Sequence, residues 1–203
     1  AIADKYGLLL IFDEVITGFG RTGSAFASQE FGVTPDLVTM AKALTNGAIP
    51  MSAVATRREI QDVVFENAGE TDRPELFHGY TYSAHPVACA AALATLNIYR
   101  DEKLFERAKA LSPLFLEAIF GLRNLPQITD LRGYGMMAGI QLKPRETPGE
   151  AGSLAQRRLF DAGLHVKATG DALIVAPAFV VTESEIGQMV EVLQKVLGRA
   201  EMA

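Results

Sequence analysis

Near its start the chain runs through five consecutive large apolar residues, Leu8, Leu9, Leu10, Ile11 and Phe12, closed by Asp13 and Glu14. A half-exposed strand or helix would interrupt such a run with polar residues. It therefore reads as a strand buried on both faces, as parallel α/β sheets have. Residues 36–41 and 51–55 read as further strands, and residues 57–66 and 86–101 carry helical patterns. Pro86 stands where a first helical turn tolerates it. The expectation for this half is α/β with a mostly parallel sheet. Past residue 103 the pattern changes. Residues 103–120 form a charged amphipathic helix with Leu104, Ala108, Leu111, Phe115 and Ile119 on one stripe. Short strands at 128–131, 136–142, 164–167 and 172–175 then alternate with helices at 154–162 and 183–197. The expected organisation is an α/β unit over residues 1–100 and a smaller α+β unit over 101–203.

Composition removes several function classes. The 203 residues carry 19 Lys and Arg against 24 Asp and Glu, a net charge of −5, which offers no basic stripe for nucleic acid. At 49% hydrophobic and 21% charged the chain is that of a folded protein, not a disordered one. Residues 76–99 bear no formal charge, but their first half is polar and the Ala-rich remainder is too short for a membrane span. Cys89 is the single cysteine, so no intrachain disulfide or cysteine metal cluster is expected, which fits a reducing, cytoplasmic compartment. Residues 1–7 read as the last turns of a helix stopped by Gly7, so the chain is expected to be the C-terminal portion of a longer protein.

Two residues stand out chemically. Asp13 ends an apolar strand, and open α/β sheets place ligands at the carboxyl ends of their strands. Lys42 ends the next one, at the same edge. A lysine there is a nucleophile able to form a Schiff base, or it simply pairs with Asp13. The loop Gly18, Phe19, Gly20, Arg21, Thr22, Gly23 matches the G-x-G-x-x-G dinucleotide pattern. Its context argues against that use, because residues 13–17 separate it from the strand and two acids lie where a pyrophosphate must go. His78 and His85 have no acid or Cys at ligand spacing and read as structural, so no metal site is expected. Arg21 is expected to order its glycine loop, and Cys89 to be packing.

Together, residues 9–23, then Pro35 and Asp36, then residues 41–47 (Ala-Lys-Ala-Leu-Thr-Asn-Gly) resemble the signature of the class III, pyridoxal-phosphate-dependent aminotransferases. Residues 78–90 resemble the block that follows it in that family. The wording is most similar to the ω-amino acid (β-alanine) to pyruvate branch. The resemblance implies a partial fold type I large domain, and in it the C-terminal part of the cofactor-binding site. Asp13 would hydrogen-bond the pyridine nitrogen, Lys42 would hold the cofactor as a Schiff base and shuttle the substrate proton, and Val15, on the strand face of Asp13, would pack on the ring. Thr81, with Tyr80, would contact the cofactor phosphate of a neighbouring subunit, making a homodimer. The other partners would be small molecules, an amino donor and pyruvate.

Two departures accompany the resemblance. The N-terminal half of a family member is not in this sequence, so the chain alone is expected to be inactive. Lys167 stands where many relatives place an Arg that grips the substrate carboxylate, and a lysine cannot offer the bidentate fork. It could instead pair with Asp171. Two other classes remain at this point: an inert fragment or binding protein of the same fold, and, resting only on the glycine loop, a nicotinamide-dependent oxidoreductase.

Overall fold

The computed structural model describes residues 2–68, 79 and 81–199. They divide into two units, one made of residues up to 20 and from 24 to 103, the other of residues 21–23 and from 104 onward.

The first unit begins with α1 (Ile2–Tyr6), which ends at Gly7 in the left-handed conformation, φ 61°, with Leu8 N–H returning to Ala3 O at 2.9 Å. β1 (Ile11–Asp13), α2 (Ala27–Glu30), β2 (Leu37–Met40), a 3-10 turn at Lys42–Leu44, β3 (Ala53–Thr56), α3 (Arg58–Ala68) and α4 (Pro86–Asp101) follow. β1 pairs in parallel with β2, with Asp13 opposite Thr39, and β2 pairs antiparallel with β3. The fold class is α/β, as the sequence suggests, but the sheet is mixed rather than mostly parallel. The reason is the connection. A parallel return needs a crossover of roughly a dozen or more residues, usually helical. Residues 41–52 just reach that length but hold only the 3-10 turn and no crossover helix, and the chain reverses beside β2 instead.

Burial also differs from the expectation. β1 is the edge of this sheet among the described strands, and Leu8, Leu9 and Ile11 are exposed, Ile11 at 57%. The unit is tied by polar contacts at its strand starts. Asp36 accepts Leu10 N–H on Oδ2 at 2.7 Å and the Arg57 guanidinium on Oδ1 at 2.8 Å, joining the approach to β1, the start of β2 and the end of β3. The Leu10 N–H bond, then the Arg57 bond, hold the Asp36 carboxyl below its ordinary value of 3.8.

In the second unit α5 (Leu104–Phe120) and a 3-10 turn (Gly121–Asn124) precede β4 (Ile128–Tyr134), β5 (Met137–Leu142), α6 (Glu150–Asp161), β6 (Lys167–Thr169), β7 (Ala172–Val175) and α7 (Glu183–Leu197). The four strands form an antiparallel sheet in the order β4-β5-β7-β6. Alternate residues of β5 (Ala138, Ile140, Leu142) and β7 (Leu173, Val175) are buried, the period of a sheet covered on one face. α5 packs on β4, α6 on β6 and β7, and α7 against both helices. The stripe read from sequence, Leu104, Ala108, Leu111, Phe115 and Ile119, is the buried face of α5. Among the described residues, every large apolar side chain below 2% exposure lies in this unit, including Phe115, Ile140, Leu159 and Leu193. Each contributes about 1.5–3 kcal/mol by burial. In the first unit, the large side chains below 2% exposure among the described residues are Glu14 and Thr45, both polar.

Candidate active site

Because β1 and β2 run in parallel, their carboxyl ends share one sheet edge, and Asp13 and Thr39 face each other there. The Asp13 carboxylate accepts two hydrogen bonds on the same atom: Oδ1 takes Val15 N–H and the Thr39 hydroxyl, both at 3.1 Å. Oδ2 has no partner among the described residues. The bond from Val15 explains a correction. Val15 does not continue the strand; an Asp side chain that captures the N–H two residues on turns the backbone, and the strand stops at Asp13. Val15 thus sits in the turn after the strand, half-buried, rather than on the strand face of Asp13.

Lys42 lies two residues past the end of β2. Its backbone is left-handed, φ 46°, and it opens the 3-10 turn. For an L-residue this conformation costs about 1–2 kcal/mol, so the surroundings must hold it. Several contacts surround it. Leu44 N–H bonds Ala41 O at 3.0 Å, and the hydroxyl of buried Thr45 donates to Ile49 O at 2.6 Å. The hydroxyl of buried Tyr99, from α4, donates to Ala43 O at 2.8 Å. Tyr99 in turn stacks on Phe19 with centroids 6.3 Å apart, and Phe19 leans on Phe26 at 5.2 Å. The Lys42 side chain is exposed and forms no ion pair with Asp13 or with any other described residue.

The glycine loop is built around Glu14, which is 1% exposed. Its carboxylate accepts Ala27 N–H at 2.8 Å, Ser28 N–H at 2.7 Å and the Thr17 hydroxyl at 2.9 Å. Three hydrogen bonds are what make a buried carboxylate tolerable here. The helix that follows the loop, α2, has four residues, and its N-terminus receives this carboxylate where a dinucleotide fold would receive a pyrophosphate. Arg21 reaches further than its own loop. Its Nη1 donates to Met136 O at 2.9 Å and Pro177 O at 2.8 Å, and the guanidinium lies 4.6 Å over the Phe179 ring.

The remaining sequence candidates are scattered. Thr81 is exposed in the turn that leads to α4, and Tyr80 and His78 lie outside the described residues. His85 precedes Pro86 at the start of α4 without capping it, and Cys89 is half-buried within α4. No group of His, Cys, Asp and Glu among the described residues could hold a metal ion. Lys167 begins β6 in the second unit, exposed. Asp171 is engaged elsewhere, accepting Gly149 N–H at 3.2 Å and Ala151 N–H at 3.1 Å at the start of α6. Sequence reasoning passed over Thr39, Tyr99 and Thr45, which hold the backbone or side chain of the two chemical residues. Thr39 becomes visible only once the strand register is known.

Residues 1–197 match the family model described as aminotransferase class-III. The chain belongs to the class-III aminotransferases. This is a pyridoxal-phosphate-dependent family. The chain is 48% identical over 99% of its length to an omega-aminotransferase of Caulobacter vibrioides, covering 46% of that protein. It is 41% identical over 98% of its length to an omega-amino acid–pyruvate aminotransferase of Pseudomonas putida, covering 44%. Other matching relatives are named for putrescine–pyruvate and gamma-aminobutyrate transamination. Among solved structures, an (S)-enantioselective omega-transaminase from Thermomicrobium roseum superimposes with a TM-score of 0.87 at 36% identity, over 97% of this chain and 44% of that one. This class-III aminotransferase chain therefore spans about half the length of the relatives it matches, and its α/β architecture is a partial fold type I structure. No helix among its described residues is long and apolar enough to cross a membrane.

Proposed function

We propose that this chain is the lysine-bearing part of a transaminase that moves an amino group between an ω-amino acid or amine, such as β-alanine, and pyruvate. The observation that carries the reading is the pairing of β1 with β2, which sets the Asp13 carboxylate and the Lys42 segment at one sheet edge. The two residues fit pyridoxal 5′-phosphate. An acceptor oxygen, Asp13 Oδ2, is left over after the internal bonds, and the Lys42 amine is not engaged in an ion pair. When bound, the cofactor supplies an electron sink for the charge that develops at the substrate Cα.

Asp13 would keep that sink effective by accepting a hydrogen bond from the ring nitrogen and so favouring its protonated form. Lys42 would hold the cofactor covalently through its amine, and the same amine would serve as the base that moves the proton at the substrate Cα. Its fixed left-handed backbone restricts where the amine swings. Val15, at the turn next to the carboxylate, packs against the ring. Thr81 and Tyr80 bind the phosphate across a homodimer, and Lys167 grips the carboxylate of pyruvate. The first unit is then the C-terminal part of the cofactor-binding large domain, and the second is the small domain. The cytosol is the proposed compartment, on the ground of the single Cys89.

The test uses the complete protein that contains this chain, loaded with pyridoxal 5′-phosphate and given β-alanine and pyruvate. Alanine is expected to form, and Lys42→Ala to abolish it. A protein that binds the cofactor but transfers no amino group from β-alanine or related ω-amines would refute the activity. Failure to bind the cofactor at all would refute the site.

A further inference from the structure

We propose that Thr39 is a positioning residue that sets the orientation of the Asp13 carboxylate, and that its hydroxyl, not its branched carbon, is what the cofactor site needs. The inference rests on the proposed pairing of Asp13 with the cofactor ring. Thr39 is the register partner of Asp13 across the parallel strands, and it serves the end of β1 twice. Its hydroxyl donates to Asp13 Oδ1 at 3.1 Å, and its carbonyl accepts Glu14 N–H at 3.0 Å.

The terminal torsion of an aspartate is broad and soft, so one hydrogen bond leaves the carboxylate room to rotate. Two donors from different segments, the turn after β1 and the strand β2, meet on the same oxygen and remove that freedom. Val15 N–H comes from the turn after β1 and the Thr39 hydroxyl from β2, and their convergence on Oδ1 presents Oδ2 as the outward acceptor. Without the hydroxyl, binding must order the carboxylate at its own cost.

The experiment measures the dissociation constant of pyridoxal 5′-phosphate from the complete protein by equilibrium dialysis, with the thermal midpoint of the cofactor-free protein alongside. Thr39→Val keeps the branch and loses the hydroxyl; Thr39→Ser does the reverse. The expected result is a Kd raised about three- to tenfold in Thr39→Val and near the parent value in Thr39→Ser. The thermal midpoints should follow the opposite order, since valine suits a strand better than serine. In an Asp13→Ala background, Thr39→Val should change the Kd no further. A parent-like Kd in Thr39→Val, or an equal loss in Thr39→Ser, overturns the role of the hydroxyl while Asp13→Ala still weakens binding. If Asp13→Ala itself binds the cofactor like the parent, the assignment of Asp13 is what fails, and the role of Thr39 fails with it.

Discussion

Asp13 and Lys42 were legible as residues because each closes an apolar stretch, and a charge there needs a reason. Their supports were not. Nothing in the order of residues says that Thr39 faces Asp13, or that a tyrosine in α4 bonds the carbonyl beside Lys42. Arg21 shows the same limit, since the carbonyls it bonds lie more than a hundred positions away. Lys167 is the residue whose proposed role is most open to direct test. A hydrogen bond to a charged group is worth about 1.5–3 kcal/mol. In the complete protein, Lys167→Ala should therefore raise the pyruvate KM by about ten- to a hundredfold, with little change toward an amine that lacks a carboxylate. Lys167→Arg should keep or improve pyruvate affinity. An unchanged pyruvate KM in Lys167→Ala would remove this residue from acceptor recognition.

At the level of elements, two helix starts carry local signals, whereas α6 begins at Glu150 rather than at the expected 154 and the strands were read less well still. Pro86 marks the first turn of α4, and Thr182 with Glu185 forms the capping box that opens α7. Each of these is a local interaction, which sequence spacing encodes. The length of β1 and the direction of β3 go instead with a side-chain bond to Val15 and with a connection that carries no crossover helix. The acid sensitivity of the first unit belongs to this scale. Asp36 ties three segments together and titrates below its ordinary 3.8 in the folded chain. A depressed carboxylate stabilises fully above its unfolded pKa and loses that contribution as pH falls through the folded value. Denaturant melts of the chain from about pH 6 to about pH 3 should lose stability less steeply in Asp36→Asn than in the parent. The variant should also be less stable at neutral pH, because an amide cannot replace the charged bond to Arg57. Parallel pH profiles would mean that Asp36 is not a significant acid trigger.

Across the whole chain, the division of apolar burial is the controlling fact. Among the described residues, the large fully buried hydrophobic side chains sit in the second unit, whereas the first presents Leu8 and Leu9 exposed on the approach to its edge strand and Ile11 exposed on it, and its large fully buried side chains are polar. Such an edge is an association hazard when nothing covers it. Hydrogen exchange on the isolated 203-residue chain should show slow amides in α5, β5, β7 and α7 and fast ones in β1 and β2. The same preparation should not turn over β-alanine and pyruvate without another polypeptide. Equal protection in both units, or robust turnover by the isolated chain, would contradict this division of labour.

The central claim is that Lys42 is the lysine that holds the cofactor. Borohydride reduction of the complete protein loaded with pyridoxal 5′-phosphate, followed by proteolysis and mass spectrometry, addresses it most directly. One phosphopyridoxyl group per chain is expected on the peptide that contains Lys42, and none on that peptide in Lys42→Ala. A stoichiometric label on a different lysine, or a protein that binds the cofactor and takes no label at Lys42, would contradict the claim.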